Sequence, residues 1–101
     1  MKIEGLRPGM ENIDLDVTVL NLKEPKHVTT YSGLEHVLVE GEVEDDTGKA
    51  FLTVWNEQID QLDGIAIGNI VGLKNCFISS FKGVIHVNIG RDSEIIKKDM
   101  E

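Results

Sequence analysis

One cysteine, Cys76, is the only thiol in this sequence. A lone cysteine excludes an intramolecular disulfide and a cysteine-based zinc site, and it suits a reducing compartment. Aromatic side chains are nearly as scarce: Tyr31, Phe51, Trp55, Phe77 and Phe81. No apolar run approaches the roughly 20 residues that a membrane helix needs. The opening "MKIEGLRPGM" lacks the long apolar core of a signal peptide. The expectation is a soluble, cytoplasmic protein with no membrane partner. There is no Walker loop, dinucleotide fingerprint or nucleophile motif. "GIAIGN" (64–69) spaces two glycines four apart but lacks the lysine of a phosphate loop. His27, His36, His86 and Cys76 do not show metal-ligand spacing, and Asp14 and Asp16 read as a solvated strand face. Neither catalysis nor a cofactor nor a metal is expected.

The charge balance is also one-sided. Ten basic against 18 acidic side chains leave a net charge of −8. Taken alone this argues against nucleic acid, whose phosphates are bound by lysine and arginine. The distribution argues otherwise: from Gly64 to Arg91 there is no Asp or Glu, while Lys74, Lys82, His86 and Arg91 fall inside that stretch. A local asymmetry of this kind creates a local field whatever the total.

What is present is β-pattern. The 101 residues make one domain, long enough for a modest core. After a Pro8-Gly9 turn, "IDLDVTVLNL" (13–22) alternates, with Ile13, Leu15, Val17, Val19 and Asn21 on one side. Glu24-Pro25 interrupts the strand, and "TTYSGLEH" (29–36) reads as a loop turning at Ser32-Gly33. Alternation returns in "VLVEGEVED" (37–45), where Gly41 marks a bend or a close backbone approach. "DDTGK" (45–49) is a hairpin turn with Gly48 in the left-handed position, followed by the strand "AFLTVW" (50–55). "NEQIDQL" (56–62) reads as a short helix capped by Asn56. "NIVGLKNCFISSF" (69–81), bent at Gly72, and "VIHVNIG" (84–90) are the last two strands, joined by Lys82-Gly83. The tail from Asp92 to Glu101 is expected to be mobile or one helical turn. Five strands with one short helix between the third and fourth predict an all-β, five-stranded antiparallel barrel, since closure hides the edges of so small a sheet.

Alternation then sorts the aromatics. With Ala50, Leu52, Val54, Cys76, Ile78, Ile85, Val87 and Ile89 inward, Trp55, Phe77 and Phe81 project from neighbouring strands onto one outer surface. Phe51 is a possible fourth. Aromatics on an acid-free surface suit the stacking of single-stranded bases, each stacked base being worth about 1–3 kcal/mol. Lys74, Lys82 and Arg91 are the candidate phosphate contacts; Ser79 and Asn88 are candidates for sugars or base edges, and His86 for phosphate. Tyr31 lies in a loop placed to close over a bound strand. Glu40, Glu42, Glu44, Asp45 and Asp46 must stand off the path of any bound strand.

The segments "LRPGMENIDLDVTVL", "YSGLEH", "EDDTGKAFLTVWNEQID" and "GLKNCFISSFKGVIHVNIGR" together resemble the archaeal single-stranded-DNA-binding proteins related to replication protein A. The likeness spans roughly residues 3–91. Its motifs are D-[DE]-T-G at Asp45–Gly48, T-[VL]-W ending on Trp55, S-x-F-K-G from Ser79, and N-x-G at Asn88. The resemblance implies the OB-fold, a Greek-key form of the five-stranded barrel. It implies base stacking on Trp55, Phe77 and Phe81 and a phosphate contact from Lys82. Phe77 replaces a Trp or Tyr of relatives and should stack less strongly; Asn88 replaces a further aromatic of some. The expectation is therefore a monomeric OB domain over residues 1–91 with a charged tail over 92–101. It would bind single-stranded DNA with little sequence preference, in replication, recombination or repair. Two other readings stay open: RNA binding by the same face, or a protein-interaction OB module serving a replication or repair complex. The chain ends at Glu101 without the Gly-rich or acidic tail common in the family, which fits a fragment of a multi-OB protein or a minimal version.

Overall fold

The computed structural model describes residues 1–98, which form seven strands: β1 (Ile13–Leu22), β2 (Lys26–Thr29), β3 (Glu35–Asp45), β4 (Gly48–Trp55), β5 (Ile70–Phe81), β6 (Val84–Ile89) and β7 (Glu94–Lys97). Five of them close a ring. β1 pairs with β3, β3 with β4, β4 with β6, β6 with β5, and β5 returns to β1. All these pairings are antiparallel except β4–β6, which is parallel. The ring is the predicted OB barrel, and β2 and β7 are appended to β3 and β5. Alternation places Leu15, Val17, Val19, Val39, Val43, Leu52, Val54, Val71, Leu73, Cys76, Ile78, Val87 and Ile89 in one core. Each fully buried Val, Leu or Ile contributes about 1.5–3 kcal/mol of transfer free energy.

Several local expectations change. The loop read over Thr29–His36 is shorter: Thr29 ends β2, Glu35 and His36 begin β3, and residues 30–34 make the hairpin turn, with Gly33 at φ 86°. β1 carries an irregularity between Val19 and Asn21. It reverses the alternation, so that Leu22 packs on the core while Asn21 turns outward to donate to Glu42 Oε1 at 2.8 Å. Gly41 lies opposite this bulge, and a Cβ there would strike the Asn21 backbone carbonyl. The close backbone approach expected of Gly41 is thus real. β5 bends at Asn75, in the left-handed region at φ 58°, rather than at Gly72. Gly48 is not in the left-handed region. The β3–β4 turn is held instead by the Asp45 carboxylate, which accepts from the Thr47 N–H (2.7 Å), the Thr47 hydroxyl (2.6 Å) and the Ile3 N–H (2.8 Å). Burial opposes ionisation of Asp45, but these donors and the Gly48 N–H outweigh it and hold its pKa below the ordinary 3.8.

Residues Asn56–Leu62 form a 3₁₀ segment between β4 and β5, from which Ile59 and Leu62 pack on the core. Asn56 does not cap it. Its φ is 52°, its Oδ1 accepts from the Val37 N–H at 3.1 Å, and its Nδ2 meets His36 Nδ1 at 3.1 Å. The tail is likewise not a mobile or helical end over Glu94–Lys97, which pairs with Val71–Lys74 as β7. Residues 99–101 lie outside the described residues. Among the described residues no helix is long and apolar enough to cross a membrane.

Candidate nucleic-acid interface

The register of β3, β4, β6 and β5 assembles the outer face row by row. Glu42, Phe51, His86 and Ser79 are successive cross-strand neighbours, as are Glu40, Thr53, Asn88 and Phe77. Phe81 follows, opposite Val84. Phe77 and Phe81 are 41% and 64% exposed, Ser79 is exposed and Trp55 is half-buried. The three aromatics are therefore brought to one surface. Phe51 joins them half-buried, its ring 5.3 Å from that of His86 with the planes at 35°.

Trp55 is held rather than loose. Its indole N–H donates to Asn88 Oδ1 at 3.2 Å, and the His36 ring meets it edge-on with centroids 5.8 Å apart. Asn88 is only 4% exposed. Its Nδ2 shares two hydrogens among the Phe77 carbonyl (3.2 Å), Ser79 Oγ (3.0 Å) and the His86 carbonyl (3.4 Å). The amide is consumed within the protein. Asn88 therefore fixes Trp55 relative to β5, and its buried amide has no donor hydrogen left for a sugar or base edge.

Phe77 is placed by a neighbour the sequence reading passed over. A Cβ on Gly90 would lie 2.9 Å from Phe77 Cε1, so the ring leans across a glycine. Beside it opens a polar hollow of about 210 Å³ lined by Phe77, Gly90, Arg91, Asn12 and Asn75 among others. Cys76 lies against that hollow, and burial, with Asp14 adding, pushes its thiol up to about 12.

Lys82 and Gly83 both have positive φ, 53° and 81°, which gives the two-residue turn whose twist matches a hairpin. That turn stands Lys82 Nζ 5.4 Å from the centre of the Phe81 ring. Arg91 borders the hollow beside Phe77. Lys74 does not join them. The bend at Asn75 puts it on another face, in a hollow with Asp14, Asp16 and Lys98, 3.9 Å from Asp14 Oδ2. Tyr31 stands fully exposed at the tip of the β2–β3 hairpin. Three cationic or aromatic neighbours were missed: Lys23, which lines a cleft with Phe81 and His86, Lys49, which lies beside Phe51 and Val84, and His36, which braces Trp55. Lys23 reaches that cleft only because the chain is redirected at the end of β1.

The expectation that all acids of residues 40–46 stand clear of the aromatic surface fails for Glu40 and Glu42. Both point outward from β3, in register with Thr53 and Phe51. Each is partly engaged: Glu40 Oε1 lies 3.3 Å from Lys26 Nζ, and Glu42 accepts from Asn21. Asp45 and Asp46 lie at the other end of β3 from Trp55, tied to Ile3 and Lys2. Among the described residues no group of three or more His, Cys, Asp or Glu is placed to hold a metal ion.

A five-stranded barrel of this strand order, with exposed aromatics and a held tryptophan on one sheet face, defines an OB domain. Residues 6–96 match the family of single-stranded DNA binding protein Ssb-like OB folds, and the chain belongs to that family. It is 31% identical over 94 residues to the single-stranded DNA binding protein Ssb of Saccharolobus solfataricus, covering 93% of this chain and 61% of that protein. The chain thus spans about three-fifths of that relative's length. Among solved structures it resembles the replication factor A related protein from Methanobacterium thermoautotrophicum, with TM-score 0.83 and 26% identity over 98% of this chain and 90% of the other. The second OB-fold domain of replication protein A from Methanococcus maripaludis shares the fold, with TM-score 0.78 and 23% identity over 100% and 98% of the two chains.

Proposed function

We propose that this chain binds single-stranded DNA with little sequence preference, as a monomeric binding module and not an enzyme. The observation that carries this reading is the convergence of Trp55, Phe77 and Phe81 on one outer face, with the indole fixed by Asn88. Membership of the Ssb-like family supports it. Bases stack on the three rings, while Lys82 and Arg91 attract phosphates along the β5 side. Ser79 stands between the two phenylalanines and contacts the sugar or base edge that spans them. His86, beside Phe51 and Ser79, adds a phosphate contact, and Tyr31 folds over the strand from the β2–β3 tip. The core unit is the barrel of residues 1–91, followed by the charged segment 92–101. One such domain covers about 4–16 nucleotides. Its work is the protection of single strands in replication, recombination or repair, within the cytoplasm.

Trp55 is the only tryptophan, so its fluorescence reports directly on the site. Titration with a thymidine oligomer at low salt should give saturable quenching that fades with added salt. A Phe77→Ala/Phe81→Ala variant that melts like the parent should lose it. Absence of quenching in the parent would count against the reading. A matched RNA oligomer that competes equally would extend the ligand to RNA, because stacking does not read the 2′-hydroxyl.

A further inference from the structure

An acid on a surface offered to a polyanion calls for a reason. Glu40 is such a residue. It lies on the outer face of β3, and with Lys23, Phe51, Phe81 and His86 it lines a cleft of about 230 Å³. Unpaired, a carboxylate there repels every phosphate that passes. The ion pair with Lys26 engages Oε1, while Oε2 has no hydrogen-bond partner among the described residues. The walls are aromatic: Phe81 belongs to the stacking face, and Phe51 lies on His86. The cleft therefore continues the stacking surface toward β3, and its polar side chains are one acceptor-only carboxylate beside two that can donate, Lys23 and the His86 ring.

That pairing of groups suits the edge of a base and not a phosphate. A carboxylate accepts from the exocyclic amine of cytosine, and a lysine donates to its ring nitrogen or carbonyl. Thymine presents a carbonyl oxygen where cytosine presents the amine, so two acceptors would face each other across the cleft. We propose that this cleft seats one base of the bound strand, and that Glu40 makes it prefer a base carrying an exocyclic amino group. The inference rests on the single-stranded DNA reading above and narrows its sequence tolerance at this one base position. It also orients the strand: the base in the cleft points toward β3, and the phosphates follow Lys82, Arg91 and, at the border of the cleft, His86.

Oligomers of deoxycytidine and deoxythymidine of equal length separate the possibilities, since they share a ring size and differ at the amine, the adjoining ring nitrogen and the thymine methyl group, of which Glu40 addresses the first. Titrations run above neutral pH, where cytosine tracts remain single strands. The parent should bind the cytidine oligomer about fivefold or more tighter than the thymidine oligomer, the lower end of discrimination by a good edge contact. Glu40→Gln places a donor as well as an acceptor in the cleft and should bring the ratio close to one, with an unchanged melting temperature. If Glu40→Gln tightens both oligomers by the same factor, the carboxylate only repels and the inference is overturned. Equal binding of the two oligomers by the parent overturns it as well, while leaving the function reading intact. Failure to bind either oligomer removes both.

Discussion

At the scale of single residues, the site turns on an amide that touches no ligand. Asn88 joins Trp55 to the Phe77, Ser79 and His86 positions through four hydrogen bonds. Asn88→Leu keeps the volume and removes every one of them. Leaving buried donors and acceptors unpaired costs about 1–3 kcal/mol each, so the variant should melt lower. A merely structural role would stop there. A positioning role predicts faster fluorescence anisotropy decay of Trp55 and weaker oligonucleotide binding at a temperature where the variant is fully folded. Asp45 gives a pH prediction. Its folded pKa is depressed, so its stabilisation is complete above the unfolded value and is lost as pH falls through the folded one. Asp45→Asn should lower the melting temperature at neutral pH, and the gap to the parent should close below about pH 4. A gap that stays constant down to acid pH would show that the charge of Asp45 is irrelevant to the turn.

At the scale of elements, two glycines allow close approaches of different kinds. Gly41 faces the backbone carbonyl of Asn21, which cannot turn aside, whereas Gly90 faces the tip of the Phe77 ring, which can. Gly41→Ala should therefore destabilise the barrel by about 1–3 kcal/mol, as overpacking does, measurable by urea unfolding. Gly90→Ala should leave the unfolding curve nearly unchanged and weaken oligonucleotide binding by displacing Phe77. Equal effects of the two substitutions on stability would contradict this division. The strands themselves were legible in the sequence wherever alternation ran unbroken, as in Val37–Asp45 and Val84–Ile89. They were misread where a bulge or a short edge strand intervened. β2 and β7 are four residues each, too short to declare a period, and they exist because β3 and β5 offer unpaired edges.

At the scale of the whole molecule, the net charge of −8 limits what electrostatics contributes. With Lys74 turned to Asp14, the cations that border the aromatic face among the described residues are Lys82, Arg91, Lys23 and Lys49. Single strands release counterions with a slope of about −0.7 per phosphate neutralised, so the logarithm of affinity should fall with the logarithm of salt with a slope of about three at most. Lys82→Ala and Arg91→Ala should each make that slope shallower, and Lys74→Ala should leave it unchanged. A steep slope, or an effect of Lys74→Ala equal to the others, would place the phosphates on a different face.

The sequence by itself determined the barrel class, the inward residues up to the bulge of β1 and along the other ring strands, and the outward set Trp55, Phe77 and Phe81. These follow from a two-residue period and from local turn chemistry such as Lys82-Gly83, both of which act over a few neighbours. Only the tertiary structure decided that Asn88 is spent on Trp55, that Lys74 belongs to another face, and that Glu40 borders the aromatic surface. Those facts depend on cross-strand register and on the bends at Leu20 and Asn75, where one residue of slip turns a side chain to the opposite side. Alternation along a strand says which side a residue faces. It does not say which residue of another strand will stand beside it.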